Sequence, residues 1–98
     1  MTLFKDPEGN EKKYLHKFLD FNDKRVLEIG CGEGRLTWQY THASSLTIGL
    51  DSDRNAVRVA LIERPTKLKD KAYFANSQAE YLPFRKETFD IAVLAWSL

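Results

Sequence analysis

The chain has 98 residues, 43% hydrophobic and 30% charged, a balance that fits one small globular domain and excludes a disordered tail. With 15 Lys and Arg against 14 Asp and Glu, it lacks the basic footprint of a dedicated nucleic-acid binder, and no apolar run is long enough to span a bilayer. The single cysteine, Cys31, excludes an intrachain disulfide; with no leader-like pattern in Met1–Asp6, the expected setting is the cytoplasm.

The first 24 residues read as an N-terminal helical segment. Pro7 and Glu8 suit a first turn, and Tyr14, Leu15, Phe18 and Leu19 share one face at helical spacing. Asn22-Asp23-Lys24 reads as a turn. Arg25–Ile29 follows as a short strand rich in branched apolar residues, ending in a glycine cluster. From about Gly34 to His42 the pattern turns helical, with Leu36 and Tyr40 facing inward. Leu46–Leu50 is a second strand ending in Asp51. Asp53 can cap a helix whose inward face is Ala56, Val57, Ala60 and Leu61, and Pro65 stops it. Lys71–Ala75 is a third strand and Phe89–Ala95 a fourth.

Strands alternating with helices predict an α/β fold: a Rossmann-like parallel sheet flanked by helices, wound by right-handed crossovers, with strand order 3-2-1-4. Residues 25–98 form this half, and residues 1–98 as a whole read as the N-terminal, ligand-binding part of a domain truncated after the fourth strand. That strand would then lie at an edge without a charge among Ile91–Ala95, and self-association through it is expected. Ligands of such sheets sit outside the carboxyl ends of the strands, where the winding reverses. The glycines, Asp51, the segment after Phe74, and Ala95-Trp96 all fall at that edge.

The turn Gly30-Cys31-Gly32-Glu33-Gly34 holds three of the chain's 5 glycines. A strand that reverses sharply into a helix needs backbone angles that glycine adopts cheaply, and missing side chains let a ligand lie against the backbone. The spacing departs from the dinucleotide fingerprint, whose third glycine would fall at Arg35. No Gly-Lys-Ser/Thr follows, so a phosphate loop is not matched either. A carboxylate at Asp51 can accept from both hydroxyls of a ribose.

Val26–Thr37 resembles the first motif of class I S-adenosylmethionine-dependent methyltransferases, and Ile48–Asp53 resembles their second. Gln78-Ala79-Glu80-Tyr81-Leu82-Pro83-Phe84 is similar to the segment that follows the third strand in the ubiquinone/menaquinone-biosynthesis subgroup, and Phe89–Val93 to the next strand. The resemblance implies that S-adenosylmethionine is the cofactor. Glu28 and the backbone of Gly30, Cys31, Gly32 and Gly34 would hold its methionine end, Asp51 its ribose, and Ser52 would border the adenine. Gln78 stands where the family has an acid for the adenine amino group. Its carbonyl can still accept from that group, with Ala79 supplying a backbone contact. Ala95 and Trp96 would approach the methionine end. The reaction implied is methyl transfer to a small-molecule acceptor; many such enzymes need no dedicated catalytic residue, so none is named, and no metal is implied.

Other readings remain open beside these. Glu28 could pair with Arg25 or Lys24, Cys31 could be a small spacer, and Asp90 an anchor at a strand start. A non-catalytic binding module is the second functional class. A nicotinamide-dependent oxidoreductase is the third, compatible with Asp51 but not with Arg35.

Overall fold

The computed structural model describes residues 2–5, 20–77 and 88–95. The expected helix around Tyr14–Leu19, the segment Gln78–Phe84 and Trp96 lie outside these residues. Five strands form one parallel sheet: β1 (Thr2–Lys5), β2 (Arg25–Ile29), β3 (Leu46–Asp51), β4 (Ala72–Asn76) and β5 (Ile91–Leu94). Helix α1 (Thr37–Tyr40) joins β2 to β3. Helix α2 (Arg54–Glu63) and a 3-10 turn (Thr66–Leu68) join β3 to β4.

The spatial order is β4-β3-β2-β5-β1. Its first four members reproduce the expected 3-2-1-4 arrangement. The fifth is a correction. Thr2–Lys5 is extended rather than helical and pairs in parallel with β5, from Thr2 opposite Ile91 to Lys5 opposite Leu94. The expected open edge of the fourth strand is therefore occupied. Unpaired backbone groups were the physical reason to expect self-association through β5, and β1 takes them up.

The steps from β2 to β3 to β4 run in one direction, so right-handed crossovers carry α1 and α2 to one face of the sheet. On that face Leu36, Tyr40 and Phe21 pack with Val26, Ile91 and Val93. The Phe21 and Tyr40 rings stack with centroids 4.4 Å apart. The return to β5 reverses the winding, and Phe89, at its entry, packs on the opposite face with Leu27 and Leu50. The reversal falls between β2 and β5, so their carboxyl ends define the crevice.

Local chemistry sets the ends of the elements. Asp53 caps α2, its Oδ1 accepting from the Asn55 and Ala56 amides at 3.0 and 3.2 Å. Pro65 follows the helix, and Arg64 Nη1 donates to the Ala72 carbonyl at 2.7 Å, tying the helix end to β4. Val57 and Ala60 are buried as expected, whereas Leu61 is 41% exposed. Helix α2 lies over β3 and the edge strand β4, so there is sheet beneath only a narrow stripe of it. At the opposite end of the strands, Asp90 accepts from the Arg25 amide at 2.9 Å and pairs with its guanidinium at 3.3 Å. That guanidinium holds the Asp90 carboxyl below the usual carboxylate range. Asp90 is thus a strand-start anchor.

Candidate cofactor site

The chain leaves β2 through Gly30, Gly32 and Gly34, with φ of 79°, 57° and 91°. These are left-handed values that cost other residues roughly 1–2 kcal/mol each. The glycines do different work. A Cβ on Gly34 would fall 2.6 Å from the Trp38 ring, so this glycine lets the indole close over the turn. A Cβ on Gly32 would meet nothing within 4 Å. Its α-carbon faces open space, a cradle that any side chain would begin to fill. Trp38 meets Phe74 edge-on at 5.4 Å. Phe74 in turn sits against Gly49, where a Cβ would come within 2.7 Å of its ring.

The turn's backbone donors are largely spent inside the protein. The Gly30 and Cys31 amides both donate to the Leu50 carbonyl, at 2.8 and 3.1 Å, and the Gly34 amide to the Cys31 carbonyl at 3.0 Å. The Gly32 amide donates to Asp51 Oδ2 at 2.8 Å. The other oxygen of that carboxylate, Oδ1, accepts from the Asp53 amide at 2.7 Å. The Asp51 carbonyl accepts from Asn76 Nδ2 and the Ser77 amide, both at 2.9 Å. Asp51 therefore joins the glycine turn, the entry to α2 and the end of β4.

Glu28 lies below this layer and is fully buried. Its Oε1 accepts from the Tyr40 hydroxyl at 2.5 Å and the Thr37 hydroxyl at 2.9 Å, both from α1. The neighbouring carboxylate and burial push the Tyr40 phenol well above its ordinary value, burial being the larger cause. A chain of buried hydroxyls continues from there. Thr41 donates to the Thr37 carbonyl, Ser44 donates to the Thr41 carbonyl, and the Ser44 and Thr47 hydroxyls share a bond of 2.8 Å. Cys31 is buried, and desolvation together with Glu28 and Asp51 raises its thiol far above the thiolate range. A thiol held neutral in this way is inert, which accords with a spacer.

The structure brings Gly30, Cys31, Gly32, Gly34, Asp51 and the exposed Ser52 to one edge of the sheet. Ala95 joins them, its amide donating to the Ile29 carbonyl at 2.9 Å. Gln78, Ala79 and Trp96 lie outside the described residues. The partners shown for Glu28 are the helix hydroxyls of Thr37 and Tyr40, and the Arg25 guanidinium holds Asp90. Sequence reasoning missed Thr37 and Tyr40. Their signal was two hydroxyls three apart on a segment following a buried strand acid, with Tyr40 otherwise read as an inward-facing residue. Among the described residues no group of His, Cys, Asp and Glu could hold a metal ion, and no helix is long and apolar enough to cross a membrane.

Fold and site together define a parallel α/β protein whose glycine turn, bonded to the Asp51 carboxylate, lies at its topological switch point. The family model described as a methyltransferase domain matches residues 26–98, and the chain belongs to that family. It is 26% identical over 98 residues to the demethylmenaquinone methyltransferase of Lactococcus lactis, covering 97% of this chain and 39% of that one. It is 33% identical over 69 residues to the uncharacterized methyltransferase YcgJ of Bacillus subtilis, covering 70% and 27%. The crystal structure of YcgJ superposes with a TM-score of 0.76 over 85% of this chain and 36% of that one, at 28% identity. A structure of S-adenosylmethionine-dependent methyltransferases from Methanosarcina mazei is similar with a TM-score of 0.62 at 26% identity, over 81% and 39%. The chain thus spans well under half the length of these relatives.

Proposed function

We propose that this chain holds S-adenosylmethionine at the glycine turn and serves methyl transfer to a small-molecule acceptor. The observation that carries this reading is how the turn uses its donors. A loop that grips a diphosphate presents free backbone N–H groups to it. Here the amides of Gly30, Cys31, Gly32 and Gly34 are already bonded within the protein, and one of them draws a carboxylate against the turn. A diphosphate would find few donors and a like charge. A nucleoside without phosphate fits instead, since its ribose hydroxyls can donate to Asp51 and its cationic sulfonium and ammonium suit an acidic surround. Membership of the methyltransferase family supports the same choice, as does the cofactor dependence ascribed to the M. mazei proteins.

On this reading the open face of Gly32 takes the body of the cofactor, Asp51 its ribose, and Ser52 borders the adenine. Gly30, Cys31 and Gly34 shape the turn, and Ala95 closes it from β5. Gln78, Ala79 and Trp96 are assigned on sequence resemblance alone. Glu28, which the resemblance assigns to the methionine end of the cofactor, also acts through α1, holding the segment that carries Trp38 and Leu36. When bound, the cofactor supplies an activated methyl group on sulfur. The protein's task is to orient it and exclude water. The relative named demethylmenaquinone methyltransferase supports a small organic acceptor.

Calorimetry on the folded chain tests the cofactor, with S-adenosylhomocysteine and NAD as separate titrants. Binding of S-adenosylhomocysteine and none of NAD is expected. Tight NAD binding with no heat from S-adenosylhomocysteine would overturn the assignment.

A further inference from the structure

The geometry points to a second role for Asp51: it is the latch that sets the glycine turn before any ligand arrives, and it keeps that role while a ligand is bound. The part that concerns a bound ligand rests on the cofactor reading above; the latch itself does not.

The two oxygens of Asp51 are divided between two backbone amides on two segments. Oδ2 takes Gly32 from the turn after β2, and Oδ1 takes Asp53 from the start of α2. Each bond is short and charge-assisted, the class worth roughly twice a neutral one. Gly32 has a left-handed φ of 57° and nothing within 4 Å of where its Cβ would lie. No side-chain packing therefore fixes its conformation on that side, and glycine loses more conformational entropy on ordering than any other residue. A hydrogen bond from its amide to a carboxylate on the neighbouring strand restrains the position, beside the weaker contact of 3.6 Å that Cys31 Sγ makes with its carbonyl. Asp51 can supply it because β3 pairs with β2 in register, Ile29 opposite Leu50, which brings the end of β3 level with the start of the turn.

A carboxylate offers about four lone-pair sites. Two are in use, so ribose hydroxyls can donate to the others without displacing either amide. Binding then does not require the turn to be released and reordered. Preorganisation of this kind reduces the ordering cost of association. Asp51 is accordingly a positioning residue for Gly32 as well as a ligand acceptor.

Amide hydrogen exchange by NMR, on the folded chain without added ligand, tests the latch. In the wild type the Gly32 and Asp53 amides are protected. Asp51→Ala is expected to speed exchange at both by on the order of tenfold to a hundredfold. The resonance of Gly49, which lies within β3, reports whether the sheet is intact. Asp51→Asn provides a gentler second variant. Its side chain has one oxygen and one NH2 group, so it cannot accept at both places, and one of the two amides is expected to lose protection while the other keeps it. Unchanged exchange at Gly32 and Asp53 in either folded variant overturns the latch. Addition of S-adenosylhomocysteine to the wild type is the last arm: protection at Gly32 should persist in the complex. Loss of that protection on binding would overturn the retained role. Failure of S-adenosylhomocysteine to bind, with exchange in the variants accelerated as stated, would refute the cofactor reading and leave the latch standing.

Discussion

The two α-helices among the described residues are placed by opposite means. Helix α2 runs ten residues from Arg54 to Glu63, starts at an Asp53 cap and buries only Val57 and Ala60, while Ile62 is 79% exposed. Helix α1 is four residues long, from Thr37 to Tyr40, and has no side-chain cap bond. Around it i to i+3 bonds are common, as from Gln39 to Leu36, Ala43 to Tyr40 and Ser44 to Thr41. Yet Thr37, Tyr40, Thr41 and Ser44 are all essentially buried. Helix α2 is specified by its own sequence and rests lightly on the sheet edge. Helix α1 is specified by what it touches, chiefly the Glu28 carboxylate. A nucleated helix this short has little stability of its own, so tertiary bonds must hold it.

The contrast breaks most directly at Glu28. Glu28→Ala removes the acceptor for two buried hydroxyls and leaves both unsatisfied. The expected loss is about 3–5 kcal/mol of unfolding free energy, a large part of what a small domain has. Urea denaturation measures it. If the variant does not fold, Glu28→Gln keeps one carbonyl oxygen and should retain part of the stability. A loss from Glu28→Ala no larger than that of an average surface substitution would mean that α1 is held by its apolar contacts alone.

A smaller, pH-marked effect is expected at Tyr40. Tyr40→Phe keeps the ring that stacks on Phe21 and deletes one donor to Glu28, at a cost of about 1–2 kcal/mol near neutrality. The sign of the pH effect follows from the raised phenol. Its folded-state value lies above the ordinary 10.0, so the fold favours the neutral hydroxyl. That stabilisation is complete below pH 10.0 and is lost as pH rises from there toward the folded-state value. The difference in stability between wild type and Tyr40→Phe should therefore shrink on the alkaline side. A difference that stays constant through that range would separate Tyr40 from the buried carboxylate.

The same contrast explains what the sequence made legible. Regular strands announce themselves through branched apolar runs, and the β2, β3, β4 and β5 segments lie within two residues of where the pattern puts them. The Asp53 cap and the Pro65 stop are local signals and were readable for the same reason. The sharp turn at Gly30, Gly32 and Gly34 was readable because glycine spacing of this kind marks backbone angles that glycine adopts cheaply. The missed features are those decided by distant partners. Thr2–Lys5 is a strand because β5 offers it an edge, far away in sequence. Leu61 has the spacing of a core residue but stays exposed on a helix that lies over the edge of the sheet. The hydroxyls of Thr37 and Tyr40 reach Glu28 only through the fold, and spacing alone did not announce them. Periodicity reports which side of an element is apolar, not whether anything lies opposite.

The smallest effect sharpens the comparison from the other side. Asp53→Ala removes the cap of α2 and should cost about 1 kcal/mol, the ordinary value for such a loss. The Asn55 and Ala56 amides stand at an exposed helix end, so water can replace the lost acceptor. The Asp53 backbone amide, which donates to Asp51, survives the substitution unchanged. Two consequences follow for measurement. Amide exchange should quicken in the first turn of α2 and leave α1 unaffected, because no bond shown here links the Asp53 side chain to that segment. Affinity for S-adenosylhomocysteine should stay near that of the wild type, in contrast to Asp51→Ala, which removes both the ribose acceptor and the hold on Gly32. An affinity loss from Asp53→Ala equal to that from Asp51→Ala would show that the cap and the latch act as one unit, and that α2 is less self-sufficient than its sequence makes it.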